Sequence, residues 1–135
     1  MELKSLIYTS WAQPGLRPDD VESILGSARV NNPLKGISGI LIFNGPNFMQ
    51  ILEGVEPAID DLIGRLKNDK RHSNMTIRDE RLIARRNFPD WAMAYLRLED
   101  QRFVGDAEIE RALTRDLPEP LRNMIRGLTH TFVKP

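Results

Sequence analysis

Cysteine is absent from this chain of 135 residues, and histidine occurs only twice. Without cysteine there are no disulfides, no thiolate chemistry and no cysteine-based zinc or iron–sulfur site. His72 and His130 lie far apart without carboxylates at helical spacing, so we expect no histidine-based metal site. No apolar run approaches the roughly 18 residues of a membrane span, and the start, MELKSLIY, lacks a signal-peptide core. The sequence therefore predicts a soluble, cytoplasmic protein that does not bind a membrane.

An excess of charge of either sign is also missing. The 19 basic and 19 acidic residues give a net charge of zero, which argues against a dedicated nucleic-acid-binding protein because such proteins are basic. The motifs GxGxxG, GxxxxGK[ST], GxSxG and HExxH do not occur. No acid–base pair or nucleophile stands out either, so we do not expect an enzyme.

The patterns that are present are short apolar runs and amphipathic segments. Apolar, β-prone runs predict strands over Leu3–Ser10, in GISGILIFN and FMQILEG as a hairpin, in MTIRDERLIARR and in WAMAYLRL. Helical spacing predicts one helix that is capped by Asp19 or Asp20 and ends near Asn31–Asn32 before Pro33. It predicts a second helix from Val55 to Asn68.

This order of elements predicts an α+β fold on the ferredoxin-like βαββαβ plan with one added strand. We expect a five-stranded mixed sheet with two helices on one face. The first and third strands are central neighbours in that plan, which places Tyr8 beside Gln50. Helical patterns after residue 98 predict a C-terminal two-helix cap, so we expect a sensor-sized domain over 1–98 and a helical cap or output segment over 99–135.

Two polar features interrupt the apolar patterns. Gln50 lies inside the run FMQIL, where a buried amide needs hydrogen-bond partners. It either only satisfies Tyr8 in the core or takes part in chemistry with it. Asn31 and Asn32 either end the helix in a turn or offer an amide donor and acceptor to a heteroaromatic ring that carries alternating carbonyl and N–H groups.

Two further groups have an ordinary structural interpretation beside a functional one. Charged and imidazole side chains follow the second predicted helix, where they either form a solvated surface or bind a ligand: Arg65, Asp69, Arg71 and His72. Trp91 and Met93 share a face of the last predicted strand, a pattern that core packing alone explains. The residue patterns leave these alternatives open.

Taken together, these features occur in a known order. The run LIYTS, then SARVNNPLKGISGILIFNGPNFMQILEG, then DKRH, then RNFPDWAM resembles the BLUF family of blue-light sensors that use flavin. The resemblance covers about residues 3–98 and rests on several spaced motifs. It implies a photoreceptor that binds FAD noncovalently between the two helices.

The resemblance also implies roles for individual residues. Tyr8 matches the photoactive tyrosine, Gln50 the essential glutamine, and Asn32 the asparagine at the pyrimidine edge of the flavin. Trp91 and Met93 match the switch strand, and Ser10 matches the hydroxyl that pairs with its tryptophan. Further cofactor contacts are implied for Asn31, for the apolar residues Ile24, Phe48 and Leu66, and for the polar residues Arg65, Asp69, Arg71 and His72.

The implied function is a reversible switch. Under blue light Tyr8 gives up an electron and Gln50 relays its proton, after which the changed hydrogen bond of Gln50 to the flavin shifts the absorption to the red. We expect the signal to pass by protein–protein contact to a separate partner or within a homo-oligomer, because roughly 37 residues after Leu98 are too few for an effector domain. Two alternatives on the same fold are an acylphosphatase-like enzyme and a flavin-free interaction module.

Overall fold

The computed structural model describes residues 2–43, 46–87, 94–97 and Asn123. Within these ranges the chain forms five strands and two helices. In chain order the elements are β1 (Leu3–Ala12), α1 (Pro18–Leu34), β2 (Ser38–Phe43), β3 (Asn47–Val55), α2 (Glu56–Lys67), β4 (His72–Ile83) and β5 (Ala94–Arg97). Trp91, Met93 and, apart from Asn123, the expected C-terminal cap lie outside the described residues.

The strands form one sheet in the order β4-β1-β3-β2-β5. The first four are antiparallel to their neighbours, and β5 runs parallel to β2 at the edge. Tyr8 of β1 lies directly opposite Gln50 of β3, as the topology predicted. The prediction of an α+β domain with two helices and an antiparallel sheet is therefore confirmed.

The boundaries of α1 differ from the prediction at both ends. The N-cap is Arg17, two or three residues before the expected caps Asp19 and Asp20, and Asp20 acts from inside the first turn by accepting the Arg17 backbone N–H at 2.8 Å. It also continues through Pro33 to Leu34. A proline in the final turn removes only its own hydrogen bond to the preceding turn, and the Lys35 N–H donates to the Asn32 carbonyl at 3.0 Å. The helix can therefore extend past the residue that was expected to end it.

Helix α2 matches its prediction, with Val55 and Asn68 as its flanking caps. Both helices pack on the same face of the sheet, because their apolar stripes share one buried cluster with the inward side chains of β1, β2 and β3. Its members include Leu6, Val21, Leu25, Leu41, Leu52, Ile59 and Ile63. Among the described helices, none is both long and apolar enough to cross a membrane.

One glycine allows the two central strands to pair closely. Gly39 of β2 lies against β3, and a Cβ there would come within 1.9 Å of the Ile51 carbonyl oxygen. Any larger residue would separate β2 from the strand that bears Gln50.

Candidate functional site

The central pair of the site is Tyr8 and Gln50. Both side chains are buried, with 3% and 7% of their residue surface exposed. The Tyr8 hydroxyl donates to Oε1 of Gln50 at 2.5 Å. The register of β1 and β3 fixes this contact, since the two residues are paired across the middle of the sheet on its helix-covered face.

Burial controls the protonation of Tyr8. It raises the pKa of the Tyr8 phenol well above its usual range, and the nearby carboxylate of Asp69 raises it further while Arg71 opposes the shift. A group with a raised acid pKa stays protonated throughout the physiological range. The phenol is therefore a neutral hydrogen-bond donor that gives up its proton only when its chemistry changes, for example on oxidation.

This pair borders a cavity of about 170 Å³ between α1, α2 and the sheet. Every residue that the sequence assigned to cofactor contact lines it: Tyr8, Ile24, Asn31, Asn32, Phe48, Gln50, Arg65, Leu66, Asp69, Arg71 and His72. Ser10 does not line the cavity. Its hydroxyl is buried and has no hydrogen-bond partner in the described part of the chain.

The two adjacent asparagines play different structural roles. Asn31 is exposed at the rim, whereas Asn32 is 5% exposed. The Asn32 backbone carbonyl accepts the N–H groups of Lys35 and Ile37 at 3.0 and 2.8 Å, but its side-chain amide has no hydrogen bond among the described residues. Asn32 lines the cavity, so its amide offers a hydrogen-bond donor and an acceptor there.

Two of the charged side chains that line the cavity, Asp69 and Arg71, neutralise each other. Asp69 binds Arg71 in a two-pronged contact, with Nε to Oδ1 at 2.9 Å and Nη2 to Oδ2 at 2.5 Å. This arginine holds the pKa of the Asp69 carboxyl below its usual value, against the opposing effect of burial. Arg65 pairs with Asp61 at 3.1 Å on the surface. Lys35 also lines the cavity and has no carboxylate partner among the described residues, so the rim has surplus positive charge.

His72 connects two walls of the cavity. Its Nε2–H donates to the Leu66 carbonyl at 2.6 Å, because a carbonyl oxygen only accepts. Its ring lies beside that of Tyr8, with centroids 6.0 Å apart and planes tilted by 51°. His72 thus joins the start of β4 to both the end of α2 and the central tyrosine.

The sequence missed six lining residues: Leu25, Ser27, Ala28, Lys35, Leu41 and Leu62. The apolar ones belong to stripes that were assigned to the core, and nothing in a periodic pattern separates a core residue from a cavity wall. Ser27 and Lys35 had a usable signal. They flank Asn31 at four-residue spacing, which puts Ser27 and Asn31 on one edge of α1 and Lys35, its C-cap, one turn further along.

The fold and the cavity together define a small α+β domain built to hold a planar, partly polar ligand. The family described as sensors of blue light using FAD, the BLUF family, matches residues 3–94. The chain therefore belongs to the BLUF family, a family of flavin-binding blue-light photosensors, and the resemblance drawn from its motifs is confirmed.

Solved structures agree with this assignment. A dark-state structure of the BLUF protein BlrB is 33% identical, with a TM-score of 0.74 over 94% of this chain and 97% of that one. A calcium and cyclic diGMP complex of Klebsiella pneumoniae BlrP1 is 31% identical, with a TM-score of 0.78 over 96% of this chain but 34% of that one. The whole described fold is therefore shared with known BLUF proteins.

Curated relatives match over a small part of their own length. The blue light- and temperature-regulated antirepressor BluF of Escherichia coli K12 is 33% identical over 73 residues, 54% of this chain and 18% of that protein. The photoactivated adenylate cyclase subunit beta of Euglena gracilis is 30% identical over 93 residues, 67% of this chain and 11% of that protein. The chain thus spans less than a fifth of the length of these relatives.

Proposed function

We propose that this protein is a blue-light photoreceptor that binds FAD noncovalently in the cavity and switches through Tyr8 and Gln50. The observation that carries the proposal is the buried hydrogen bond between these two side chains at the cavity wall. This hydrogen bond places an oxidisable phenol and an acceptor for its proton together at the wall of the cavity.

The residues present fit a flavin. Its ring system is flat and apolar on both faces, with carbonyl and N–H groups along one edge. Ile24, Phe48 and Leu66 supply apolar walls, and the otherwise unpaired Asn32 amide supplies a complementary donor and acceptor for that edge.

We assign the phosphates of FAD to the rim. Pockets that enclose a whole drug-sized ligand measure about 300–1,000 Å³, so a cavity of about 170 Å³ encloses a ring system rather than a dinucleotide. Lys35, the C-cap of α1, and Arg65, in the last turn of α2, are exposed at the rim and supply positive charge for phosphate groups. Asp69 and Arg71, bound to each other, contribute polarity to the cavity wall without adding net charge.

Bound flavin supplies the absorption of blue light and, once excited, an acceptor for one electron. Tyr8 is the donor, and loss of an electron makes its phenol strongly acidic. Oε1 of Gln50, at 2.5 Å, is in place to accept the released proton. The electron and a proton then return to Tyr8, while Gln50 is left with a rotated or tautomerised amide. No covalent bond to the cofactor is needed, and the rearranged hydrogen bonds revert in the dark.

The relay beyond Gln50 follows the sheet. Leu41 of β2 pairs with Gln50 on one side and with Tyr95 of β5 on the other. We propose that Trp91 and Met93, just before β5, pass the change on, with Ser10 as a hydroxyl partner for the tryptophan. The segment 99–135 after the domain 1–98 would then present it to a separate protein or to a second copy of the chain.

The proposal is tested first with apoprotein and added flavin. We expect FAD to bind, to give a yellow protein, and to shift its absorption to the red under blue light with recovery in darkness. FMN and riboflavin serve as comparison ligands, and FAD should bind most tightly if the rim cations bind its phosphates. Failure to bind any of the three flavins would refute the proposal.

A pull-down with the protein held in light or in darkness tests the signalling part. We expect at least one protein to be retained in only one of the two states. Tyr8→Phe is the matched control, because it should keep the cofactor and lose the difference. Identical retention in light, in darkness and by the variant would exclude signalling through a separate partner.

A further inference from the structure

His72 lies where three elements meet. It is the first residue of β4, its side chain is half-buried, and its ring is 6.0 Å from that of Tyr8 on β1. Its Nε2–H donates to the Leu66 carbonyl in the last turn of α2 at 2.6 Å. One imidazole therefore contacts the reacting tyrosine with its ring and a cavity wall with its nitrogen.

The hydrogen bond to Leu66 fixes the imidazole. The last carbonyls of a helix have no partner within the helix, and Leu66 is one of them. The Asp69 N–H also reaches this carbonyl, at 3.1 Å. A short bond from His72 to the same oxygen holds the ring in one orientation. The imidazole is therefore a fixed surface rather than a rotating side chain.

Tyr8 needs such a surface. Its hydroxyl is held by Gln50 at the end of the ring's long axis, so this bond does not itself set the plane of the ring, which depends on the side chains packed around it. A tilted ring 6.0 Å away restricts rotation of the phenol ring, and aromatic pairs of this kind have a measurable interaction energy beyond the area they bury.

We propose that His72 is a positioning residue for Tyr8: its ring, anchored on the Leu66 carbonyl, sets the plane of the phenol that faces Gln50. The consequence for photochemistry rests on the proposed function, since it assumes that Tyr8 is the electron donor. The positioning itself is a property of the resting protein and is measurable without light.

Two variants separate the two contacts of His72. His72→Gln keeps an N–H donor near the position of Nε2 and removes the ring. His72→Phe keeps a ring beside Tyr8 and removes the donor to Leu66. If the ring positions Tyr8, the first variant should change the dark recovery rate by about threefold to tenfold, the size expected from an aromatic contact. The second keeps a ring but loses the hydrogen bond that anchors it, so we expect a smaller change in the recovery rate than in His72→Gln, together with easier unfolding.

A light-independent readout is the ring motion of Tyr8, followed by NMR of protein with isotope-labelled tyrosine. The chain has two tyrosines, so Tyr95→Phe leaves a single set of ring signals to assign. In that background we expect slow ring rotation with His72 in place, the fastest rotation in His72→Gln, and an intermediate rate in His72→Phe, whose ring is no longer anchored on the Leu66 carbonyl.

The outcomes are distinct. Faster ring rotation in His72→Gln than in the wild type, with slower rotation in His72→Phe than in His72→Gln, supports the positioning role. Equal rotation in all three proteins, or rotation in His72→Phe at least as fast as in His72→Gln, overturns it. If the ring motion changes as expected but the wild type shows no light-induced red shift, then the proposed photochemical function fails while the positioning role stands.

Discussion

Lys4 and Tyr8 lie four residues apart on the same face of β1, and both have buried side chains, yet their surroundings are opposite. Lys4, with 11% of its side chain exposed, faces three carboxylates: Asp60 at 2.8 Å, Glu80 at 2.9 Å and Glu56 at 3.9 Å. The Tyr8 hydroxyl donates to one neutral acceptor and borders a cavity. The charge of Lys4 is balanced by three carboxylates, whereas Tyr8 borders a cavity that can hold a ligand.

The difference shows how to distinguish structural from functional polar groups in this fold. The Lys4 network joins β1 to α2 and β4 and leaves the ammonium group with no need of a further partner. At the other end, Asn32 and Lys35 line the cavity, and neither side chain has a hydrogen bond or ion pair among the described residues. Polar groups that line the cavity without a protein partner are available to a ligand.

The largest effect should come from removing the tyrosine hydroxyl. Tyr8→Phe deletes the proton donor to Gln50 and makes the ring much harder to oxidise, so the light-induced red shift should disappear while flavin stays bound. Tyr95→Phe is the matched control and should keep the shift. Absorption difference spectra before and after blue light measure both, and a full shift in Tyr8→Phe would show that Tyr8 is not the donor.

Asn32→Ala should come next. Loss of the buried amide removes hydrogen bonds to the ligand, and we expect flavin affinity to fall about tenfold, equivalent to about 1.4 kcal/mol. Asn68→Ala, at the exposed end of α2 and away from the cavity lining, should bind like the wild type. Fluorescence titration of the apoproteins gives both constants, and equal affinities would remove Asn32 from the site.

At the other end of β1, Lys4→Met should affect stability and spare the photochemistry. Its carboxylate partners are about half exposed, so we expect a loss of about 1 kcal/mol in urea unfolding. Lys70→Met, an exposed lysine of the loop before β4, should leave stability unchanged. A variant of Lys4 that unfolds like the wild type but fails to switch would reverse the assignment of the two ends.

The same lysine gives a pH dependence. Hydrogen bonds to Asp60 and then Glu80 raise the pKa of Lys4 above its usual value of 10.5. The folded state therefore holds this proton more tightly than the unfolded state, so the contribution is complete below pH 10.5 and is lost as pH rises through the folded pKa. Unfolding curves of wild type and Lys4→Met should converge at high pH, and parallel curves would contradict the role of the lysine.

The smallest effect should come from Asp69, whose pKa is lowered by Arg71. A lowered acid pKa contributes stability above the unfolded value, here 3.8, and loses it as pH falls through the folded pKa. Asp69→Asn should therefore flatten the acid side of the stability profile below pH 3.8. An unchanged acid limb in thermal unfolding would show that the pair contributes nothing measurable.

The sequence predicted the middle of the sheet better than the ends of the helices. Tyr8 opposite Gln50 followed from strand order alone, because a two-residue period and a known topology determine register and face. The end of α1 was wrong because the rule for the residue before a proline does not weigh the hydrogen bonds that Lys35 and Gly36 make beyond Pro33. Local preference was outweighed by the contacts that close the helix.

The candidate site, like the fold, was predicted only in part from the sequence. Asn31 and Asn32 were indistinguishable as neighbours in the sequence, and only the packed helix shows that one is exposed and the other buried. The Asp69–Arg71 pair and the bond from His72 to Leu66 depend on how the loop after α2 turns, which no periodic pattern specifies. The positions of Trp91 and Met93 stay a prediction, since they lie outside the described residues.

The most direct test concerns the amide that faces Tyr8. Gln50→Leu keeps the size of the side chain and removes its hydrogen bonds, and Gln13→Leu, in the exposed loop after β1, is its matched control. Both proteins are reconstituted with FAD and their spectra recorded in darkness and under blue light. Flavin bound in both, with a red shift in Gln13→Leu and none in Gln50→Leu, is the expected result. A full, reversible red shift in Gln50→Leu would contradict the switch through Tyr8 and Gln50.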